Sequence, residues 1–135
     1  MAEKVFPIVD LLKQDPRYKL EAYQFVREAL QYAQEVLEMP AQSAASSGGK
    51  AEHHLTGQQL CQAIRIFATD QYGYLAKIVL NSWGIHKTGD FGELVYNLIR
   101  IKEMRKSKQD RREDFDDQYD FDTAFEPDFS VAHRP

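Results

Sequence analysis

The chain has 135 residues, 43% of them hydrophobic and 28% charged, which fits one globular domain able to bury a core without crosslinks. Its lone cysteine, Cys61, excludes an intrachain disulfide and a Cys-based zinc cluster, and it fits a reducing compartment. The net charge of −4 is uneven: residues 113–135 hold eight acids and one Arg (about −7), while residues 1–112 hold 16 Lys and Arg against 13 acids (about +3).

The opening "MAEKVFPIVDLL" shows no apolar run of the secretory kind. Residues 4–14, "KVFPIVDLLKQ", read as a short helix with Val5, Ile8, Val9 and Leu12 on one side, provided Pro7 lies in its first turn. Asp15-Pro16 is a stop and restart, with Asp15 able to cap and Pro16 suited to a first helical position. Ala22, Phe25, Val26, Ala29, Leu30, Ala33, Val36 and Leu37 then repeat at the spacing of one helical face. That helix is expected to reach Met39, where Pro40 ends it.

Residues 41–54, "AQSAASSGGKAEHH", are small and polar and read as a flexible loop. "TGQQ" at 56–59 is a capping box, in which Thr56 accepts a first-turn amide and Gln59 reaches back. Leu60, Ile64, Phe67 and Ala68 follow on one face, and Gly73 is a candidate C-terminal cap. Residues 74–83, "YLAKIVLNSW", are apolar nearly all round, which predicts a central, surrounded helix stopped by Gly84; a buried strand competes for so short a run. The longer "YLAKIVLNSWGI" is too short to cross a bilayer and contains Lys77. "TGDFGEL" gives another start signal, with Asp90 three residues before Glu93, and Phe91, Leu94, Val95 and Leu98 continue an amphipathic helix to about Lys106.

The expectation is therefore an all-α bundle of about five helices in a domain of residues 1–112, followed by a tail of residues 113–135. Its core is drawn from Phe25, Leu30, Leu60, Ile64, Phe67, Ile78, Val79, Trp83, Phe91, Leu94, Val95 and Leu98, with Trp83 at the centre. "RIKEMRKSKQDRR" (100–112) places seven bases just before the acidic tail. In that tail Phe115, Tyr119, Phe121, Phe125 and Phe129 alternate with acids. All five ring positions are odd-numbered, so an extended chain puts them on one face, and a helix also groups them within an arc of about 160°. This pattern predicts that residues 113–126 dock on the helical body, rings inward and acids outward, with Pro127 to Pro135 loose.

"RYKLEAYQFVREALQYA", "HLTGQQLCQAIRIFATDQYG", "NSWGIHKTGDFGELVYNLI" and "EDFDDQYDFDTAF" together resemble a small conserved-hypothetical family of planctomycete and verrucomicrobial bacteria, over residues 17–126. The chain departs from that pattern at Gly73-Tyr74-Leu75, where the family has Gly-Pro-Met, and in its 41–54 loop. The resemblance implies a bacterial cytosolic protein and carries over no site residue.

Catalytic signals are weak. His53, His54, His86 and Asp90 lack a chelating spacing and read as polar residues flanking helix starts. Cys61 has no nucleophile signature around it, and "GDFG" (89–92) stands without any other kinase element, so Asp90 reads as a cap and Gly92 as a close helix approach. No cofactor or metal site is expected.

The reading is a non-catalytic cytosolic protein-interaction module, acting through its helical body or its aromatic-acidic tail without a membrane. Candidate partner-binding residues are Phe115, Tyr119, Phe121 and Phe125 as ring anchors, with Arg105, Lys106, Lys108, Arg111 and Arg112 beside them. The alternative is a nucleic-acid- or ribosome-associated factor using the 100–112 stretch, with the acidic tail as internal competitor. Such a basic run is ordinarily the solvated end of a helix, where cations suit the negative pole.

Overall fold

The one-sided periodicities close into a single bundle. In the computed structural model, which describes residues 7–39, 55–106 and 110–125, the order is α1 (Pro7–Gln14), α2 (Leu20–Glu35), α3 (Gly57–Tyr72), a 3-10 turn (Gly73–Leu75), α4 (Ala76–Ser82), α5 (Thr88–Arg100), a second 3-10 turn (Arg112–Phe115) and α6 (Phe121–Ala124). The fold is all-α, and no strand occurs among the described residues. The expected loop at 41–54 and the end of the tail from Glu126 lie outside them.

α2, α3 and α5 form the core. α2 contributes Tyr23, Phe25, Val26 and the small Ala22, Ala29 and Ala33, which let α3 approach closely. α3 answers with Leu60, Cys61, Ile64, Phe67 and Ala68, and α5 with Phe91, Leu94, Val95 and Leu98. Phe25 packs on Phe67 with ring centroids 5.4 Å apart. The capping box forms: the Gln59 amide donates to Thr56 Oγ1 and the Thr56 amide to Gln59 Oε1, both at 3.0 Å.

Three boundaries differ from expectation. α2 begins at Leu20 rather than at Pro16, because residues 15–19 form a turn that swings Tyr18 inward. In that turn the Lys19 amide donates to the Trp83 carbonyl at 3.2 Å. The turn needs Gly84, which has φ +97 and whose absent Cβ would lie 2.1 Å from the Arg17 carbonyl oxygen. α2 ends at Glu35, before Met39, since the Val36 and Leu37 amides both turn back to the Tyr32 carbonyl. α5 stops at Arg100 rather than at Lys106. Lys102 adopts a left-handed φ of +65, its amide donates to Ile99 and that of Glu103 to Leu98, a Schellman closure without glycine.

The larger correction concerns residues 74–83. The segment is not central: α4 is two turns long and lies at the edge of the bundle, with Ala76 and Leu80 inside. Tyr74, Leu75 and Ile78 are 66%, 43% and 64% exposed, so Ile78 is not core. Val79 and Leu30 are half-buried, as is Trp83, which lines the rim against Phe25 and Tyr72 at 5.6 and 6.0 Å. Tyr23, Phe25, Phe91 and Ile64 hold the centre that the sequence assigns to Trp83.

Candidate interaction surface

The acidic tail is docked on the body. Phe115, Phe121 and Phe125 are each only 4% exposed, while Glu113, Asp116, Asp117, Asp120 and Asp122 face solvent. The one-sided arrangement arises through two short helical turns joined at Asp117, rather than through one regular element. Phe129 lies outside the described residues.

The proximal half of the tail is seated on glycine. A Cβ on Gly57 would come within 2.8 Å of the Asp114 Cβ, and one on Gly92 within 2.9 Å of the Phe115 Cβ. What approaches Gly92 is thus the tail, and not a neighbouring helix. Arg112 completes this half as a clamp: its Nε donates to Glu93 at 2.6 Å and its Nη1 to Asp116 at 2.8 Å. Arg17 also reaches Glu93 at 3.0 Å and pairs with Asp15 at 2.7 Å, so the clamp continues to the α1–α2 turn. Arg112, backed by Arg17, holds the Glu93 carboxyl below its usual range; the Arg17 hydrogen bond does the same to Asp15 more strongly.

The distal half is held differently. Tyr119, Phe121 and Phe125 pack on one another, with Phe121 and Phe125 rings 5.0 Å apart and edge-on. Toward the body, Phe121 meets Phe91 at 5.7 Å, and the Tyr119 hydroxyl donates to the Cys61 carbonyl at 2.7 Å. The Gln118 amide donates to Thr88 Oγ1 at 3.1 Å, and Lys77 of α4 pairs with Asp122.

The basic candidates scatter instead of forming a row. Arg112 is bound into the clamp, whereas Arg111 is exposed and gives its amide to Asp114 Oδ2 at 3.2 Å. Arg105 borders a groove of about 480 Å³ floored by Leu30, Leu60, Val95, Ile99 and Phe115. Lys106 is exposed, and Lys108 lies outside the described residues. The groove shares Gly57 and Phe115 with the tail's seat.

The weighed chemical candidates find other roles. Asp90 sits in the first turn of α5, accepting the His86 amide at 2.8 Å, the Lys87 amide at 3.2 Å and the Tyr18 hydroxyl at 2.5 Å. Burial raises the Tyr18 phenol, and the Asp90 hydrogen bond adds to it. The start signal sets Asp90 as the cap with Glu93 three residues on; α5 begins instead at Thr88, so Asp90 caps it from the third helical position while Glu93 pairs with Arg17 and Arg112. Cys61 is fully buried, which pushes its thiol up to about 12 and leaves little thiolate at neutral pH. His86 is exposed, His53 and His54 lie outside the described residues, and no three His, Cys, Asp or Glu converge among the described residues.

Sequence reasoning missed the outward face of α4. Tyr74 and Leu75 of the preceding 3-10 turn and Ile78 of α4 are exposed, and Lys77 between them pairs with Asp122 of the docked tail. The signal that could have found it is Gly73, whose φ of +56 breaks α3 from α4 and tips the apolar run outward. No helix among the described residues is long and apolar enough to cross a membrane. No protein family, curated protein or solved structure matches the chain.

Proposed function

We propose that the chain is a non-catalytic protein-interaction module that binds through its helical body, at the face presented by α4. The observation that carries this reading is the contrast in exposure: the tail's anchoring rings are buried in cis, while Tyr74, Leu75 and Ile78 stand exposed within five residues. Clustered large apolar side chains at a protein surface mark contact sites more often than scattered ones do. A tyrosine beside two aliphatic residues suits the aromatic-rich centre of such contacts. The lone, buried Cys61 supports a reducing cytoplasm, and the four motifs quoted above support membership of the planctomycete and verrucomicrobial family.

The test is the double substitution Tyr74→Asp with Ile78→Asp in the tagged, full-length chain, expressed in its own cells. The variant is expected to stay within ~0.5 kcal/mol of wild type, as surface changes do, yet to lose proteins that co-purify with wild type. Recovery of the same proteins by both forms overturns the assignment to α4. Nucleic acid in the eluate, released steeply between low and physiological salt, would replace this reading with one based on residues 100–112.

A further inference from the structure

The two halves of the docked tail are held in different ways. The proximal half, Arg112–Phe115, sits against the backbones of Gly57 and Gly92 and is locked by Arg112 between Glu93 and Asp116. The distal half forms a small aromatic cluster of its own, in which Tyr119, Phe121 and Phe125 touch each other. Its ion pair to the body, Lys77–Asp122, joins two largely exposed side chains, so solvent screening leaves it little strength. Asp117 separates the halves with φ +52, a conformation a non-glycine residue adopts at a cost. A short self-packed segment beyond such a joint, tied to the body by the Phe121–Phe91 contact, the Tyr119 and Gln118 hydrogen bonds and a screened ion pair, is the kind of unit that opens without global unfolding.

We propose that residues 118–125 are the resident occupant of a peptide-binding seat on α3, α4 and α5, and that an acidic, aromatic segment of a partner protein takes this seat when the strap lifts at Asp117. The proposal rests on the interaction reading above and names its partner's chemistry. The seat itself specifies that chemistry. The Cys61 carbonyl accepts a phenol, and Phe91 receives a phenyl ring two residues further on. Lys77 takes the carboxylate that follows directly after that ring. The recognised pattern is therefore Tyr-x-Phe-Asp, with a second ring four residues after the first phenylalanine to close the cluster, as Phe125 does. Lys77 also lies next in sequence to the exposed Ile78 and two residues from Leu75, so the seat adjoins the part of the chain that the interaction reading assigns to a partner.

The probe is the synthetic peptide DDQYDFDTAFE, identical to residues 116–126, titrated into two full-length proteins: wild type and the variant Phe121→Ala with Phe125→Ala. In wild type the cis strap competes at an effective concentration of the order of millimolar, so the peptide is expected to bind the variant at least ~10-fold more tightly. Amide shifts at Cys61, Lys77 and Phe91 should move, and a peptide with both phenylalanines replaced by alanine should leave them still. A folded variant that ignores the peptide overturns the proposal. Should the variant fail to fold, hydrogen exchange on wild type decides instead. Thr123, Ala124 and Phe125 amides, which bond within the strap, must exchange far faster than those of α3 and α5. Equal protection overturns the strap's independent opening. A silent peptide with partner loss in the α4 double variant defeats this proposal alone, whereas peptide binding with partners retained there defeats only the α4 assignment.

Discussion

Two stretches of this chain exchange the places their compositions suggest. "YLAKIVLNSW" is the most apolar run in the sequence, and its Tyr74, Leu75 and Ile78 face solvent. "EDFDDQYDFDTAF" is the most acidic, and its Phe115, Phe121 and Phe125 are buried. The difference lies in how each pattern meets the body. An alternation of rings and acids can be turned one side in and one side out, so every carboxylate stays hydrated while the rings dock. A run apolar on all sides has no such choice. At the edge of a bundle it buries what fits, here Ala76 and Leu80, half-buries Val79 and Trp83, and leaves Tyr74, Leu75 and Ile78 exposed.

The largest effect expected from this contrast is at Phe115. Phe115→Ala should lower stability by about 3–5 kcal/mol, the range for emptying a buried aromatic site, whereas Ile78→Ala should change it by less than ~0.5 kcal/mol. Chemical denaturation of both variants checks the pair. Equal losses would mean that the tail and α4 are packed alike, and the contrast would collapse.

A smaller effect should come from the surface beneath the tail. Gly92→Ala brings a Cβ within 2.9 Å of the Phe115 Cβ, an atom fixed close to the backbone that cannot swing aside as a flexible side-chain end can. The tail must rise or α5 must shift, and the expected loss is about 1–3 kcal/mol, typical of overpacking. Limited proteolysis sharpens the result: cleavage within residues 113–125 should accelerate well before the body is cut. A tail as protected as in wild type would show that Gly92 is not what admits Phe115.

These residues also show what the sequence makes legible. The helical faces were readable because Ala22, Phe25, Val26 and Ala29, or Phe91, Leu94, Val95 and Leu98, carry their periodicity locally. The tail's docking was readable for the same reason, since all its rings fall on odd positions. Neither the seat nor the rim could be read that way. Gly92 looks like a site of helix contact until Phe115 is known to lie over it, and the pairing spans more than twenty residues. Trp83 looked central because it is the largest apolar side chain, yet the Gly84 turn against Arg17 holds it at the edge. Lys102 took a left-handed turn that sequence rules reserve for glycine, which ended α5 early and broke the basic run into separate side chains.

The smallest expected effect concerns acid, and it distinguishes the clamp from the rings. Glu93 has its carboxyl pKa depressed in the folded chain by Arg112 and, to a lesser degree, Arg17. A depressed carboxyl contributes stability that is present above its unfolded pKa of about 4.3 and lost as pH falls through the folded value. The window is therefore below about pH 4, and stability near pH 7 should not respond. Glu93 and Arg112 are each about a third exposed, so solvent screening limits the contribution to ~1 kcal/mol or less. Glu93→Gln should leave the tail docked at neutral pH, because Phe115 remains over Gly57 and Gly92, while flattening the acid limb of the unfolding free energy. Asp15, depressed more strongly by Arg17, keeps part of that limb, so the flattening should be partial. Urea titrations at pH 7 and pH 3.5 on wild type and Glu93→Gln measure it directly. An undiminished acid limb would assign the acid sensitivity to Asp15 and its neighbours, leaving the proximal tail held by its ring and the two glycines alone.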